Sequence, residues 1–397
     1  MPLLLALLLS FLPYVDSPVD DGAQEKPAKQ YPKLVAMGLN LWERLKQPDP
    51  KLETEWIYQP QKGFGVGLGY ELTQMGVSLS SQTSSVMDTD GKMVANFDFR
   101  LAPYFNHRLG IRGTAGPLSA GYSFELKKKG ERPSRSLFFN YLASHYGAQF
   151  QYNRYDANIL YKGYLRLNDA SLGELNNRFP SDKPARIYNL IVDGFYAFNR
   201  HRFAYTAAYT GKLLQRRSAG SWLVSLKYMQ GDIRLEPDDD TTLFLQGLGW
   251  FTTYQLSVGG GYSYNWVLFH KDPVSRTSFQ GLRNITLNIT ATPTLSLFNR
   301  MVTRQYERID ETGKPIKYTS NVADSYPVDS FGTPNFIARA GIHAAFGHFY
   351  LNLWADYTYF YFKNRGKEFH RGSGVVNLSQ NGGFSTFKVN LALNYRF

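Results

Sequence analysis

The chain lacks cysteine altogether and has little of the apolar sequence that a membrane helix requires. Without a thiol, a disulfide scaffold and a cysteine-ligated metal site are both excluded. A spanning helix needs roughly 20 consecutive apolar residues, and the apolar run from Leu3 to Leu12 covers about half of that length. The chain does contain 43% hydrophobic residues, with 28 Tyr, 28 Phe and 35 Gly, at a mean hydropathy of −0.35. This composition disfavours disorder and is typical of a transmembrane β-barrel.

The N-terminal part differs from the rest of the sequence. Residues 1–22 are interpreted as a signal peptide, although no basic residue precedes the apolar run and the cleavage site is not defined. A buried N-terminal helix is the alternative. Residues 23–52 are predicted to form a periplasmic N-terminal segment, in which Leu34, Leu41 and Leu45 fit a helical stripe. It is either an amphipathic helix or plug at a barrel mouth, or a leader without a role.

Residues 53–397 are predicted to form an outer-membrane β-barrel, and the C-terminus carries the sharpest evidence. Polar and apolar residues alternate there without a break, and a strand sends alternate side chains to opposite faces. Such a strand suits a barrel with lipid outside and a wet lumen inside. The outward set is Phe387, Val389, Leu391, Leu393, Tyr395 and Phe397, and the inward set is Lys388, Asn390, Ala392, Asn394 and Arg396.

Similar alternation recurs in thirteen segments, each a candidate strand. Bacterial single-chain barrels have an even number of strands. We therefore predict an all-β, antiparallel barrel of 12 to 14 strands. A further strand within 235–251 would favour 14. One of the thirteen covers 202–213, with Phe203, Tyr205, Ala207 and Tyr209 outward. Tyr357, Tyr359 and Tyr361 are predicted to join an aromatic girdle at the membrane interface. A soluble β-sandwich or propeller is the alternative fold.

Turn positions indicate which end of the barrel is which. Asn199–His201 and Gly347–His348 are predicted to be tight hairpins. Longer polar inserts are expected at the opposite, extracellular end. They are 83–92, 127–134, 162–184, 300–334 and 363–383.

Several short stretches resemble a family of outer-membrane proteins from Bacteroidetes-type bacteria that is catalogued as domain of unknown function 4421. They are Leu101–Phe105, Leu118–Leu126, Arg216–Ser221 and Gly260–Trp266, and the resemblance runs over roughly residues 90–397. It implies an outer-membrane barrel and no particular activity.

The candidate catalytic and ligand-binding groups give no site. Each of the seven histidines is interpreted as a solvated or hydrogen-bonded side chain, with His343 facing the lumen near Arg339. Ser144 and His145 are neighbours, which in a strand would point to opposite faces. The run Asp238–Asp240 is interpreted as a turn, since a calcium site would need further oxygen ligands. We therefore predict no catalytic residues, no metal and no cofactor, and a protein that is not an enzyme.

The net charge of +12 requires an explanation. Nucleic acid is not an expected partner for an exported barrel with dispersed basic residues. In and beside the predicted external loop 127–134, Lys127, Lys128, Lys129, Arg132 and Arg135 could pair with lipopolysaccharide phosphates. The residues predicted to face the lumen are Arg100, Lys227, Arg339, Lys388 and Arg396, together with Asp98, Asp193 and Asp356. These residues either favour anions or pair with one another and fill the bore.

The sequence therefore leaves three functions open. A channel or transport protein for small solutes in the bacterial outer membrane comes first. A structural or surface-binding barrel that contacts lipopolysaccharide is the alternative, and a barrel lipid hydrolase is a distant third. The expected partners are outer-membrane lipid and the barrel-assembly machinery, which would recognise the C-terminal strand ending at Phe397.

Overall fold

The computed structural model describes residues 52–60, 64–87, 91–101, 105–126, 133–167, 170–180, 183–245, 247–275, 278–309, 317–371 and 374–397. The predicted signal peptide (1–22), almost all of the predicted N-terminal segment (23–52) and the basic cluster at 127–132 lie outside these residues. No helix in the described part of the chain is long and apolar enough to span a membrane.

Almost all regular structure in the described residues is β-strand. The strands are β1 (Ile57–Tyr58), β2 (Phe64–Met87), β3 (Gly91–Leu101), β4 (Phe105–Ala115), β5 (Leu118–Glu125), β6 (Arg135–Leu142), β7 (Tyr146–Ala157), β8 (Ile159–Leu167), β9 (Ala170–Pro180), β10 (Ala185–Ala197), β11 (Leu214–Gln215), β12 (Ala219–Arg234), β13 (Leu248–Lys271), β14 (Arg283–Ile309), β15 (Lys317–Ser330), β16 (Pro334–Phe346), β17 (Phe349–Arg371) and β18 (Gly374–Arg396). A 3₁₀ turn (Tyr205–Ala208) and helix α1 (Asp240–Phe244) complete the set.

Within the described residues, twelve antiparallel strands close into a barrel, in the order β2, β4, β5, β6, β7, β10, β12, β13, β14, β16, β17, β18 and back to β2. The seam pairs the last strand with the first long one, from Val375↔Val86 to Arg396↔Gly65. Closure removes the unpaired sheet edge that an open sheet would expose to lipid. The predicted all-β antiparallel barrel is confirmed.

The remaining long strands extend the wall at one end. We call the end that carries Phe64 and Phe397 the base and the opposite end the rim. Towards the rim, β3 pairs with the upper part of β2, and β8 and β9 continue the sheet from β3. Strand β15 pairs with the upper part of β14. The described parts of the inserts 83–92, 162–184, 300–334 and 363–383 lie at the rim as predicted, but most of their backbone is strand rather than loop.

Two details of the strand count are wrong. Residues 235–247 form a connection that contains α1 and no barrel strand, so the fourteenth strand is absent from this stretch. Residues 202–213 are also not a barrel strand. The predicted tight hairpin at Asn199–His201 is wrong as well, because these residues begin a long connection from β10 to β12. Gly347–His348, in contrast, is a tight turn with Gly347 at φ +61°.

An apolar belt surrounds the base half of the barrel. On β2 the outward side chains are Phe64, Val66, Leu68 and Tyr70, all more than 40% exposed, while Glu71 and Thr73 point inward and are buried. On β18 the predicted faces are confirmed, because Phe387, Leu391, Leu393, Tyr395 and Phe397 are exposed and Lys388, Asn390, Ala392, Asn394 and Arg396 are buried. Apolar outside and polar inside is the pattern of a wall that faces lipid.

Towards the rim the two faces exchange character. Met75, Val77 and Leu79 continue along the inward face of β2 and are buried, while Ser78 and Ser80 lie on the outward face. The same exchange occurs on β17, where Asp356 and Thr358 are followed by Phe360 and Phe362 on the inward face. Tyr357, Tyr359 and Tyr361 lie on the outward face at this boundary, where the predicted girdle was expected.

Candidate functional site in the barrel lumen

The connection from β10 to β12 folds back into the lumen from the base. We call residues 199–218 the plug. Its residues 203–211 are all buried, which a pair of exposed hairpin strands would not be. The ring of Tyr205 packs on Phe195 of the wall with centroids 4.2 Å apart. The base of the barrel is therefore closed by the chain itself.

Hydrogen bonds from the wall satisfy the irregular backbone of the plug. Asn265 Nδ2 donates to the Ala204 carbonyl at 2.8 Å, and Asn284 Nδ2 donates to the Gln215 carbonyl at 2.8 Å. Arg396 donates to the carbonyl of Gly211, which has φ +64°. A Cβ at Gly211 would lie 2.4 Å from His343 Cε1, so this left-handed close approach requires glycine. Buried irregular backbone at membrane depth is tolerated when it is satisfied in this way.

A two-stranded sheet and several ion pairs hold the plug at the base. Strand β11 pairs with β1, so the described residues next to the N-terminal segment join the plug. Arg202 pairs with Glu53 at 2.9 Å, and Arg217 with Glu55 at 3.5 Å. Arg216 Nη2 contacts Asp272 Oδ1 at 2.6 Å. Asp272 lies outside the strands; burial would raise its pKa, but hydrogen bonds from His270 and Arg216 outweigh burial and lower the pKa below its ordinary value of 3.8.

Above the plug, the first charged cluster crosses the seam between β18, β2 and β4. Glu71 accepts from Arg108 and lies 2.7 Å from Lys388 Nζ. All three side chains are at least 92% buried. Thr73 also accepts a hydrogen bond from Arg108, at 2.7 Å. This cluster ties three neighbouring strands together from inside the lumen.

The second charged cluster joins β16 and β17, which follow β18 in the barrel, to β10 and β12 across the lumen. Arg339 contacts Asp356 Oδ2 at 2.7 Å and Asp193 Oδ2 at 4.0 Å, and it donates to the Tyr205 hydroxyl at 3.1 Å. Lys227 Nζ donates to Thr358 Oγ1 at 3.1 Å. The interpretation in which lumen charges pair with one another therefore describes this cluster, and Arg339 also bonds the plug to the wall.

Above both clusters the lumen is filled by apolar side chains. We call this set the rim core. It is buried and comes from strands all round the barrel, as in a soluble protein. Its members are Met75, Val77, Leu79, Tyr155, Ile159, Ala185, Ile187, Ile191, Met229, Ile233, Leu235, Leu245, Phe251, Met301, Phe360, Phe362 and Phe384.

Small cavities remain between the plug and the charged clusters. One leaves about 90 Å³ for the centres of water molecules and is lined by polar groups that include Arg112, Asn140, Lys388 and Asn390. A second, of about 40 Å³, lies beside Asp193 and Lys227. Since roughly 10–15 Å³ of such volume holds one water, these spaces have room for several waters.

Some lumen residues predicted from the sequence occupy their expected positions and others do not. Lys227, Arg339, Lys388 and Arg396 face inward, and so do Asp193 and Asp356. His343 is buried in the lumen, with Nδ1 2.6 Å from Asn352 Oδ1.

Arg100 and Asp98 do not face the lumen, so their assignment is wrong. Arg100 is exposed and pairs in register with Ser78, and Asp98 pairs with Ser80, both on the outward face. These residues lie in the rim half, where polar side chains point outward to water.

Three charged lumen residues were missed, namely Glu71, Arg108 and Arg112. Arg108 and Arg112 lie on the inward face of β4. The alternation of Leu109 and Ile111 with Arg108 and Arg112 is the signal that could have revealed this inward set.

The structure also revises the expectations for the Ser144–His145 pair and for the acidic run Asp238–Asp240. Ser144 Oγ lies 2.9 Å from His145 Nδ1, because the two residues occupy a turn rather than a strand. The predicted divergence of their side chains is therefore wrong. In the acidic run, Asp239 Oδ1 accepts from Thr241 N at 2.8 Å and caps α1, which gives this residue a structural role.

Comparisons with known proteins agree with the resemblance that the sequence motifs suggested. The family described as a domain of unknown function (DUF4421) matches residues 68–307. The chain belongs to this family. No curated protein matches the chain.

Three solved structures have a similar barrel. The translocator domain of the autotransporter NalP from Neisseria meningitidis has 11% identity and a TM-score of 0.32, covering 92% of this chain and 98% of that one. The β domain of the Bordetella autotransporter BrkA has 10% identity and a TM-score of 0.27, covering 83% and 99%. The outer membrane protease OmpT from Escherichia coli has 10% identity and a TM-score of 0.24, covering 83% and 97%. Similarity at this level says nothing about activity.

Proposed function

We propose that this protein is a closed structural or surface-binding barrel of the bacterial outer membrane, and that its lumen is not a standing pore. The filled lumen carries this proposal. The plug, the two charged clusters and the rim core follow one another along the barrel axis. The spaces of about 90 and 40 Å³ between them have room for a few waters and are too small for a hydrated solute to pass.

The outer-membrane location is supported by the apolar belt and by the closed antiparallel wall. The base, which carries the C-terminus, would then face the periplasm. Phe397 is 56% exposed at the seam, where its backbone N–H donates to the Phe64 carbonyl at 3.1 Å. This exposed aromatic side chain beside the closing strand supports recognition by the barrel-assembly machinery, and Phe397→Ala should lower the amount of assembled barrel.

Planar-bilayer recording of the purified full chain tests the closed lumen. The expected result is no unitary conductance at any voltage that the bilayer survives. A general porin reconstituted from the same detergent serves as the positive control. Steady conductance steps from the wild-type protein would contradict the proposal.

Gated transport of small anions is the second candidate, and the composition of the lumen favours it. The plug is a single connection, and cations outnumber carboxylates among the lumen residues named above. The cations are Arg108, Arg112, Lys227, Arg339, Lys388 and Arg396, and the carboxylates are Glu71, Asp193 and Asp356.

Because the chain has no cysteine, a crosslink can test the gate cleanly. Tyr209 of the plug donates a hydrogen bond to Asn288 of the wall. A Tyr209→Cys/Asn288→Cys variant joined by a short bis-maleimide should lose any uptake of small anions into proteoliposomes, while each single cysteine variant should keep it. If the crosslinked protein and the single variants transport equally, the plug is not a gate.

A further inference from the structure

The outer wall carries a row of arginines directly above the apolar belt on one side of the barrel. Leu137, Tyr152 and Leu190 are cross-strand neighbours at the upper edge of the belt on β6, β7 and β10. The next outward positions on the same strands are Arg135, Arg154 and Tyr188. We call the surface formed by Arg135, Arg154, Tyr188, Arg234, Trp250 and Arg304 the arginine shelf.

We propose that the arginine shelf binds the phosphate groups of a lipopolysaccharide-class lipid, a phosphorylated glycolipid of the outer leaflet. This inference deepens the proposed surface-binding function by naming its partner and its site. Its height suits the ligand, because the shelf begins where the lipid-facing side chains end. Head groups lie at that level and acyl chains lie below it.

Two like charges face each other across the ladder at the β6–β7 end of the shelf. Arg135 and Arg154 are directly paired in register. Side chains in such pairs have Cβ atoms about 4.5–5.5 Å apart, and like charges there are destabilising. No carboxylate in the described part of the chain lies within 4.0 Å of either guanidinium. A phosphate between them would remove the repulsion and accept hydrogen bonds from both.

Aromatic rings hold three guanidinium groups of the shelf in place, those of Arg154, Arg234 and Arg304. Arg154 and Arg234 both lie over the ring of Tyr188, at 5.6 and 5.5 Å from its centroid. Arg234 and Arg304 both lie over Trp250, at 3.9 and 4.5 Å. A guanidinium that stacks through its face keeps N–H groups at its edge for phosphate oxygens.

The carboxylates around the shelf mostly pair with arginines other than Arg135, Arg154 and Arg304. Asp232 pairs with Arg234 at 2.9 Å, Glu236 with Arg186 at 2.7 Å, and Asp329 with Arg300 at 3.5 Å. Asp156 lies opposite Arg186 in register. Arg135, Arg154 and Arg304 have no ion pair with a carboxylate in the described residues, so the shelf keeps positive charge for an anion.

A groove beneath the shelf fits the rest of such a lipid. It has a volume of about 300 Å³ and is lined by Tyr152, Tyr188, Leu190, Gln230, Asp232 and Arg234. Its upper end is charged, at Asp232 and Arg234, and its lower end is apolar, at Leu190 and Tyr152. A free phosphate ion would use only the upper end, whereas an amphipathic phosphorylated lipid uses both.

Binding of purified lipid A to the full-length barrel in neutral detergent tests the proposal. The Arg135→Ala/Arg154→Ala variant should bind lipid A about tenfold more weakly or worse, since each charge-assisted hydrogen bond to phosphate is a strong contact. The control variant is Arg202→Ala/Arg217→Ala, which removes two exposed arginines at the base. It should bind lipid A like the wild type.

Two further measurements keep the result decisive. Dephosphorylated lipid A should bind the wild type as weakly as intact lipid A binds the shelf variant, and inorganic phosphate at millimolar concentration should not displace intact lipid A. Equal affinity of the shelf and control variants, equal binding of dephosphorylated lipid, or displacement by free phosphate would each overturn the proposal. Heat-modifiability on gels verifies that every variant is folded. The closed lumen is tested separately by bilayer conductance, so failure of lipid A binding would leave that proposal unaffected.

Discussion

In the base half of the barrel, apolar side chains point outward and polar ones inward, whereas in the rim half the two faces exchange these roles. On β2 the outward residue Leu68 is 71% exposed, and eleven positions along the same strand the inward residue Leu79 is 1% exposed. The outward face of one continuous strand therefore contacts lipid in the base half and water in the rim half. The base half is built for a lipid surround, and the rim half is built like a soluble barrel with an apolar core.

The exchange explains where each half obtains its stability. The wall of the base half faces lipid, which gives no hydrophobic drive to pack its outer face, so ion pairs, hydrogen bonds and the plug organise its interior. The rim half buries apolar side chains away from water, which is the dominant favourable term in soluble proteins. The charged clusters around Glu71 and Arg339 lie at the boundary between the two.

The largest effect should come from a charge placed inside the rim core. Leu79→Arg buries a guanidinium without a partner among apolar side chains, and we expect it to lower the free energy of unfolding by about 4 kcal/mol or more. Ser80→Arg, at the neighbouring outward position, should change it by less than about 0.5 kcal/mol. Urea unfolding in lipid vesicles measures both. Equal effects at the two positions would show that the rim half has no inside and outside of different polarity.

The next largest effect should come from breaking the second charged cluster. Arg339→Leu leaves Asp356 and Asp193 buried with Lys227 as their remaining cation, and it removes the hydrogen bond to Tyr205 of the plug. Breaking a buried pair from one side costs about 3–5 kcal/mol. The Arg339→Leu/Asp356→Leu double variant should recover part of this loss. If the double variant is no more stable than the single one, the pair is not coupled.

A smaller effect is expected for a charge on the apolar belt. Leu68→Arg places a cation against lipid, which costs about 2–4 kcal/mol near the bilayer midplane and less near the interface. Ser80→Arg is again the matched control, since it adds the same side chain to the outward face of the same strand above the belt. The comparison between the halves fails if Leu68→Arg is as well tolerated as Ser80→Arg in vesicles.

Strand alternation revealed the barrel because it is a local property of the sequence. The segment Phe387–Phe397 alternates strictly, and both of its predicted faces are observed. The shift of phase on β2 is also written in the sequence, where apolar residues move from even positions up to Leu72 to odd positions from Met75. If apolar residues are assumed to face outward along every strand, this shift goes unnoticed. The same assumption places Asp98 and Arg100 of β3 in the lumen, whereas they pair with Ser80 and Ser78 on the outward face.

The plug could not be recognised by the same method. Phe203, Tyr205, Ala207 and Tyr209 alternate with small residues, so the segment has the period of a strand. Its second face, Ala204, Thr206, Ala208 and Thr210, contains no charge, unlike the lumen faces of the true strands. A segment buried on all sides also tolerates that composition, and the closure of the lumen depends on contacts such as Arg339 with Tyr205, which are 134 residues apart in sequence.

Acid should loosen the base before it affects the rim core, and this is the smallest effect expected. Asp272 binds Arg216 at the foot of the plug, and its lowered pKa means that folding favours the ionised carboxylate. That contribution is present above the ordinary pKa of 3.8 and is lost as the pH falls below it through the folded pKa.

Because the Asp272 side chain is 53% exposed, solvent screening limits the contribution to less than about 1 kcal/mol. Hydrogen exchange of the plug should therefore be a few fold faster in Asp272→Asn than in the wild type at pH 6, and this difference should shrink steadily as the pH falls below 3.8, with unchanged exchange of β2 residues around Leu79. A difference that does not shrink as the pH falls would mean that Asp272 acts on the plug through something other than its charge.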